Sequence, residues 1–283
     1  MSVAILIVNF RAYEALERCL VSLAPFLGAD DEVVIVDHDS DEARLRAAAV
    51  HCPRAVAIPR SDNPGFAAGV NRAAAASRAP HLLLLNPDTE LCDAVPHRLE
   101  TWLRAHPDVA VAGPRVLNLD GSIQPTARRF PGVTTVIGGR STWFTRRFPN
   151  NWLTRWNLHG RDADTPLVVD WISGACLMTP RSVFERLGGL DESFFLYSED
   201  VDYCRRALAA GGRSVYVPIA TVRHQIGAST DYVREQSIRV FHHSAFQYYW
   251  KYAGLVGRAL APMVWLGLRL RGTWRWHVAQ RSS

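Results

Sequence analysis

Apolar runs recur at short intervals through the first part of the chain. "VAILIVNF", "EVVIVDHD", "AVAIP", "HLLLLNPD" and "VAVAG" are rich in Val, Ile, Leu and Ala, and between them Ala, Leu and Arg repeat at helical spacing. Near-continuous apolar strands alternating with helices are what a mainly parallel sheet covered on both faces requires. The pattern therefore predicts an α/β fold with a mainly parallel central sheet flanked by helices. The first helix is expected over 12–24, stopped by Pro25, with Leu16, Leu20 and Leu23 as its buried stripe and Cys19 on the same face.

Ligands of such sheets sit at the carboxyl ends of the strands. Polar residues collect there: Asn9 after the first strand, Asp37 and Asp39 after the second, "RSDNPGFAAGVN" (60–71) after the third, and Asn86 with Asp88 after the fourth. The pattern breaks over 114–168, where "LDGS" suggests a hairpin turn and an Arg-, Trp-, Phe- and Pro-rich stretch without clean period reads as loop, ordering when substrate binds. Regular structure resumes at "LVVDWISGACLMTP", followed by a helix from Arg181. A second helix starts near Ser198, with Val201, Cys204 and Leu208 as its apolar face, and ends at Gly211 and Gly212.

From Gly254 onward, apolar residues and arginines interleave. The longest apolar run there covers about ten residues, half of what a bilayer span needs, and contains Pro262. With Trp265, Trp274 and Trp276 beside Arg258, Arg269, Arg271 and Arg275, the segment resembles an interfacial helix on a membrane. A terminal helix packed on the body, or on a second copy in a homo-oligomer, is the alternative.

Composition sharpens this picture in three places. With 283 residues and 48% hydrophobic content, the chain can bury one large α/β core or two small ones. Its net charge of +5 is carried almost wholly by arginine, since Lys251 is the single lysine. Arginine's planar fork suits a phosphorylated ligand or an acidic membrane surface, although GC-rich codon usage gives the same bias. Five scattered cysteines, with no C-x-x-C pair, indicate a reducing cytoplasm rather than a disulfide framework. The N-terminus has no basic n-region and reads as a strand rather than a signal peptide.

The candidate chemistry lies at the strand ends and in one helix. Asp37 can accept hydrogen bonds from a nucleobase or ribose while Ser40 or Asp41 caps the next helix. Gly65 and Gly69 flank the start of a helix expected over 66–77, where backbone can approach a bulky anion. The spacing is neither G-x-G-x-x-G nor a P-loop. Either Asn86 and Asp88, or Asp88 and Glu90, can present oxygens on one side, enough to hold a hard cation that bridges two phosphates. In "FFLYSEDVDYCRRALAAGG", Glu199 and Asp202 share a helix face and Asp200 points about 100° away. Aromatic neighbours and adjacent acids raise a carboxylate's pKa toward that of a general base. His224 becomes a metal ligand if it converges with Asp88.

Read in order, "ILIVNFRAYEALERCLVSL", "VVIVDHDS", "NPGFAAGVN", "LLLLNPDTEL", "WISGACLMTPRSVFERLGGLDESFFLYSEDVDYCRRALAAGG" and "HQIGAS" resemble the inverting glycosyltransferases of family 2, and within them the rhamnosyltransferase branch. The resemblance covers about residues 3–253, and its long segment 171–212 is specific. It implies the nucleotide-diphospho-sugar transferase fold of glycosyltransferase A type, with a nucleotide-sugar-binding half at 1–113, an acceptor and catalytic half at 114–253, and the amphipathic segment 254–283 appended. It implies donor-binding roles for Asn9, Asp37, Asp39, Asn63, Gly65, Phe66, Gly69, Asn71 and Asn86, and an acceptor side at Trp171 and Gly174. It further implies Mg2+ or Mn2+ held by Asp88 and His224, and Asp200 as base with Glu199 beside it. Two positions depart from the family pattern: Asn86 stands where the first acid of D-x-D belongs, and His38 stands where asparagine is usual.

The implied donor is dTDP-rhamnose or a UDP-linked sugar, and the implied acceptor a glycan or lipid-linked saccharide; nothing points to nucleic acid. The expected location is the cytoplasm, peripheral on the inner face of a bacterial plasma membrane. Two other readings share parts of the pattern. A sugar-nucleotide nucleotidyltransferase would need a Gly-rich phosphate loop after strand one, which "VNFRAYEALE" lacks. A non-catalytic carbohydrate- or membrane-binding module would not need Asp37, Asp88, Asp200 and His224 together.

Overall fold

The computed structural model of the chain describes residues 2–39, 41–132, 147, 148, 152, 163–225 and 234–280, without the side chains of 234, 235, 275 and 277–280. Much of the irregular stretch within 114–168, together with Ser40, Gly227 and Ser229, lies outside the described residues.

β1 (Val3–Asn9) is buried along its whole length, as expected of a strand with helices on both sides. It pairs in parallel with β2 (Glu32–Asp37) and β4 (His81–Leu85), and β2 pairs in parallel with β3 (Ala55–Pro59). Beyond β4 the sheet changes character. β10 (Cys176–Pro180) inserts antiparallel between β4 and β6 (Val109–Leu117). β11 (Arg213–His224) then runs parallel to β6 and antiparallel to both β5 (Thr89–Leu91) and β8 (Leu167–Val169). The order is β3-β2-β1-β4-β10-β6-β11-β5, with β8 on β11. A 113/114 division falls inside β6, so one sheet runs through both proposed halves.

Alternate side chains of β1 feed two separate cores. Val3, Ile5 and Ile7 pack with Leu16, Leu20 and Leu23 of α1 (Tyr13–Leu23) and with Leu99 and Leu103 of α4 (Val95–Arg104). Ala4, Leu6 and Val8 pack with Val70 of α3 (Phe66–Ala75) and, across the sheet, with Tyr203 and Cys204. Fully burying a side chain such as Leu16 contributes about 1.5–3 kcal/mol by area, and removing it costs more because a cavity remains. A short 3-10 turn containing Pro25 follows α1 directly. Asp41 caps α2 (Glu42–Ala49), its carboxylate accepting from the Arg44 backbone N–H at 3.1 Å. The "LDGS" turn closes as expected, Gly121 at φ +81° donating to the Asn118 carbonyl.

α5 (Arg181–Arg186) and α6 (Glu199–Ala209) cover the second face. Leu208 departs from expectation: it is 52% exposed, and Tyr203 and Ala207 take the buried positions beside Val201 and Cys204. A stripe spaced three to four residues apart runs through Leu208, whereas the sheet receives α6 one position round the helix, at Ala207. β7 (Ala127–Arg128) and β9 (Trp171–Ile172) form a separate two-stranded antiparallel ribbon. Two helices complete the chain, α7 (Arg234–Tyr252) and α8 (Leu255–Gln280), of which the aperiodic apolar pattern gave no warning for α7. All five cysteines are free thiols, and only Cys92 is exposed.

Candidate active site

The turn at residues 173–175, between β9 and β10, joins two groups of acidic residues. The Gly174 N–H donates to Asp200 Oδ2 at 2.8 Å. The next carbonyl, Ala175, accepts from the Asn86 N–H at 3.0 Å and from Thr89 Oγ1 at 3.2 Å. Residues more than a hundred positions apart in sequence thus share one short stretch of backbone.

On the strand-end side, Asp88 Oδ1 lies 3.2 Å from His224 Nε2. The cross-strand register of β5 and β11, which pairs Thr89 with His224, brings them together. His224 Nδ1 meets the Gln124 amide oxygen at 2.8 Å, so Nδ1 carries the proton and donates it. Gln124 is itself fixed, its Nε2 donating to Asn118 Oδ1 at 2.9 Å. An imidazole tethered at Nδ1, with Nε2 beside a carboxylate, is the arrangement that metal-binding histidines adopt. Among the described residues no third His, Cys, Asp or Glu joins the pair. A divalent cation here would draw its other ligands from water and donor phosphate oxygens, as Mg2+ commonly does. Glu90 turns away to Arg18 at 3.2 Å, so of the two oxygen pairs open to the sequence, the one with Glu90 does not form.

On the helix side, three acids from four consecutive residues meet three environments. Asp202 is fully buried and accepts from Arg206 Nε at 2.7 Å, Lys251 Nζ at 2.5 Å and the Tyr252 hydroxyl at 2.6 Å. Glu199 is buried with Oε2 lacking a hydrogen-bond donor, and burial, then the neighbouring Asp200 charge, pushes its pKa well up. Asp200 alone is half-buried. Burial raises its pKa, opposed by the N–H groups of Gly174 and Val201 and by the Arg128 charge. A reachable carboxylate with a raised pKa is suited to take a proton.

The approach to Asp200 is strained. Tyr197 and Ser198 both have left-handed φ, +68° and +71°, at a cost of about 1–3 kcal/mol each that surrounding structure must offset. α7 supplies the restraint. Ser244 Oγ donates to the Leu196 carbonyl at 2.7 Å, Gln247 to the Ser193 carbonyl at 3.0 Å, and Phe241 packs edge-on to Tyr197 at 5.6 Å. Lys251 bridges Asp191 and Asp202; despite burial, its hydrogen bond holds Asp191 down to about 2.

The nucleotide end differs from expectation. Asp37 and Asn9 are both wholly buried, and Asp37 already accepts from Asn9 Nδ2 at 2.7 Å and the Tyr13 hydroxyl at 2.9 Å. The carboxylate of this strand end that reaches the surface is Asp39, paired with Arg11 at 2.7 Å. His38 is buried against α3, and burial pushes its pKa down, keeping it neutral.

Both glycines are required by packing in their own right. A Cβ at Gly65, whose φ is +103°, would lie 2.3 Å from the Phe195 carbonyl oxygen, and one at Gly69 would lie 2.7 Å from Val8. The Phe66 N–H is spent on that same Phe195 oxygen at 2.8 Å. Asn63 accepts from the Gly65 N–H, and Asn71 ties α3 to Leu190 and Glu192 with both ends of its amide. Trp171 donates from its indole to the Arg129 carbonyl at 2.8 Å, with Arg128 5.2 Å from its ring.

Sequence reasoning missed Gln124, Arg128 and the α7 residues Phe241, Ser244, Gln247 and Lys251. Their partners are remote in sequence, so no local motif marks them.

A sheet of this order, with acids gathered at strand ends and a carboxylate opening a helix across from them, defines a nucleotide-sugar transferase of glycosyltransferase A type. Residues 2–241 match the family model described as "Glycosyltransferase like family 2". The chain belongs to that family and is a glycosyltransferase. It is 32% identical, over 95% of its own length and 89% of the relative's, to N-acetylglucosaminyl-diphospho-decaprenol L-rhamnosyltransferase of Mycobacterium tuberculosis. Over 18% of this chain and 19% of the relative it is 45% identical to the rhamnosyltransferase WbbL of Escherichia coli. Among solved structures, its fold matches a mannosyltransferase from Pyrobaculum calidifontis in complex with GDP-Man and Mn2+ (TM-score 0.61, 16% identity, 96% of this chain and 71% of that one). It also matches GalNAc-T7 with UDP, GalNAc and Mn2+ (TM-score 0.59, 16% identity, 80% and 44%).

Proposed function

We propose that the protein transfers rhamnose, with inversion, from dTDP-rhamnose to a hydroxyl of a glycan or lipid-linked saccharide, with UDP-linked sugars as the second donor class to test. The observation that carries this reading is the turn at 173–175, whose neighbouring backbone groups hold Asp200 on one side and the Asn86–Thr89 segment on the other. The likeness to a rhamnosyltransferase acting on a decaprenol-linked substrate supports the choice of donor and acceptor.

Asp200 accepts the proton of the acceptor hydroxyl. The freed oxygen forms a bond to the anomeric carbon from the face opposite the phosphate, and the bond from that carbon to the diphosphate oxygen breaks, its electron pair leaving with the nucleoside diphosphate. One base and no nucleophile suffice, and configuration inverts. Burial raises the pKa of Asp200, and the Gly174 N–H and the Arg128 charge favour its ionised form against that rise. Asp88 and His224 would hold Mg2+ or Mn2+, which when bound offsets the charge of the departing diphosphate. Asp202 and Lys251 keep α6 in place, and Glu199 contributes a buried carboxyl behind the base rather than a second base. The enzyme works as a peripheral protein on the inner face of the plasma membrane, where a lipid-linked acceptor is carried; no helix among the described residues is long and apolar enough to cross a membrane.

The test is to incubate the protein with a panel of nucleotide sugars, with and without Mn2+, and to follow slow donor hydrolysis. Metal-dependent hydrolysis of dTDP-rhamnose above all others is expected. Preference for another donor corrects the sugar, and metal-independent turnover removes Asp88 and His224 from their role.

A further inference from the structure

The chain's positive charge is unevenly distributed. Of 32 Lys and Arg against 27 Asp and Glu, seven basic residues and no acidic one fall in 236–283, leaving 25 against 27 before it. The whole net positive charge therefore sits in the segment 236–283, which holds most of α7 and all of α8. There, a cavity of about 500 Å³ opens between the two helices, lined by Arg239, His242, His243, Trp265, Arg269 and Trp276 among others, with no carboxylate among its described lining residues. It is built by close helix approach. His242 donates from Nδ1 to the Ile238 carbonyl at 2.7 Å, which fixes its ring, and a Cβ at Gly272 of α8 would lie 3.3 Å from that ring. The Arg269 guanidinium lies 4.8 Å from the Trp265 ring centroid, so an aromatic face helps hold its planar fork.

The same helix carries an apolar surface. Leu255, Val256, Met263, Leu266, Leu270 and Trp274 of α8 are 53–89% exposed. A basic, aromatic-walled cavity continuous with such a helix matches the boundary between phosphate headgroups and acyl chains, where arginine forks grip phosphate and tryptophan rings settle.

We propose that the cavity between α7 and α8 is a socket for the phosphate headgroup of an anionic bilayer lipid, received by Arg239 and Arg269 while the exposed apolar side chains of α8 enter the membrane boundary. The inference deepens the peripheral-attachment part of the reading above and is independent of the transfer chemistry. It also explains why one helix serves two purposes. α7 presents Arg239, His242 and His243 to the socket, and Phe241, Ser244 and Lys251 to the segment that leads into Asp200.

The experiment is co-sedimentation of the full chain with phosphatidylcholine vesicles, with and without phosphatidylglycerol. Binding that requires phosphatidylglycerol and weakens with salt is expected. The double variant Arg239→Gln/Arg269→Gln should bind those vesicles about thirtyfold more weakly, at roughly 1 kcal/mol per basic residue near an anionic surface. Arg46→Gln, on the exposed face of α2, should bind as wild type, and retained donor hydrolysis by the double variant shows that it is folded. Wild-type indifference to phosphatidylglycerol overturns attachment and socket together. Undiminished binding by the folded double variant overturns the socket alone. Competition by soluble glycerol phosphate would make a free phosphate the occupant, and a dimer abolished by the same substitutions would make it a second copy; either result also ends the proposal.

Discussion

Two carboxylates on either side of the 173–175 turn, Asp88 and Asp200, are the same functional group in different surroundings. Asp88 ends an apolar strand and faces a histidine whose far nitrogen is tied to Gln124. Asp200 opens a helix, receives two backbone N–H groups, and stands beside a carboxyl with one oxygen that lacks a donor. In the proposed mechanism the first shares a cation and the second receives a proton. The difference comes from partners, since both sit at the carboxyl edge of one sheet.

Asp200→Asn breaks the contrast most severely. Its one acceptor oxygen keeps the Gly174 contact, its amide nitrogen gives up the Val201 N–H contact, and the basic lone pair is gone, so transfer rate should fall about 10²–10⁴-fold in a protein that still unfolds cooperatively. Near-wild-type turnover would move the base elsewhere.

Gln124→Ala tests the other side without touching a proposed ligand. Loss of its tether should weaken Mn2+ dependence by about 10–100-fold in metal concentration, and Gln124→Glu, which keeps the acceptor, should recover most of it. Equal metal titrations for wild type and Gln124→Ala would show that the tether does not matter.

Lys251→Met should cost about 1–3 kcal/mol of stability, because it leaves Asp202 buried with fewer donors, and urea unfolding measures it. If α7 also restrains the strained turn at Tyr197 and Ser198, kcat falls while KM for the donor does not.

A smaller effect concerns pH. Since Asp200 must be ionised, rate falls as pH drops through its raised pKa, and Arg128→Met, which removes a charge that lowers this value, should move that acid limb upward. An unmoved limb would separate Arg128 from the base.

The smallest effect falls on Glu199. Its folded pKa lies above the unfolded one, so the stability it contributes is full at low pH and is lost as pH rises through the folded value. Glu199→Gln should therefore match wild type at acid pH and melt higher at alkaline pH, and a constant difference across pH would contradict the buried, donor-poor carboxyl.

The sequence by itself determined the strands, their parallel pairing near the N-terminus, the α1 stripe and the helix that begins at Glu199. These depend on period and on short-range rules, which act between neighbours and are visible in any window of the chain. It also marked the acids at the strand ends and His224 as worth attention. Only the tertiary structure decided their work. Asp37, expected to be free for ligand, is buried under Asn9 and Tyr13, while Gly65 and Gly69 make room for Phe195 and Val8. Gln124 meets His224 across 100 residues of sequence, and Lys251 meets Asp202 across 49. The physical reason is that charge state, burial and reach belong to an environment assembled from remote segments, and a carboxylate's local sequence specifies that it carries oxygens, not what will face them.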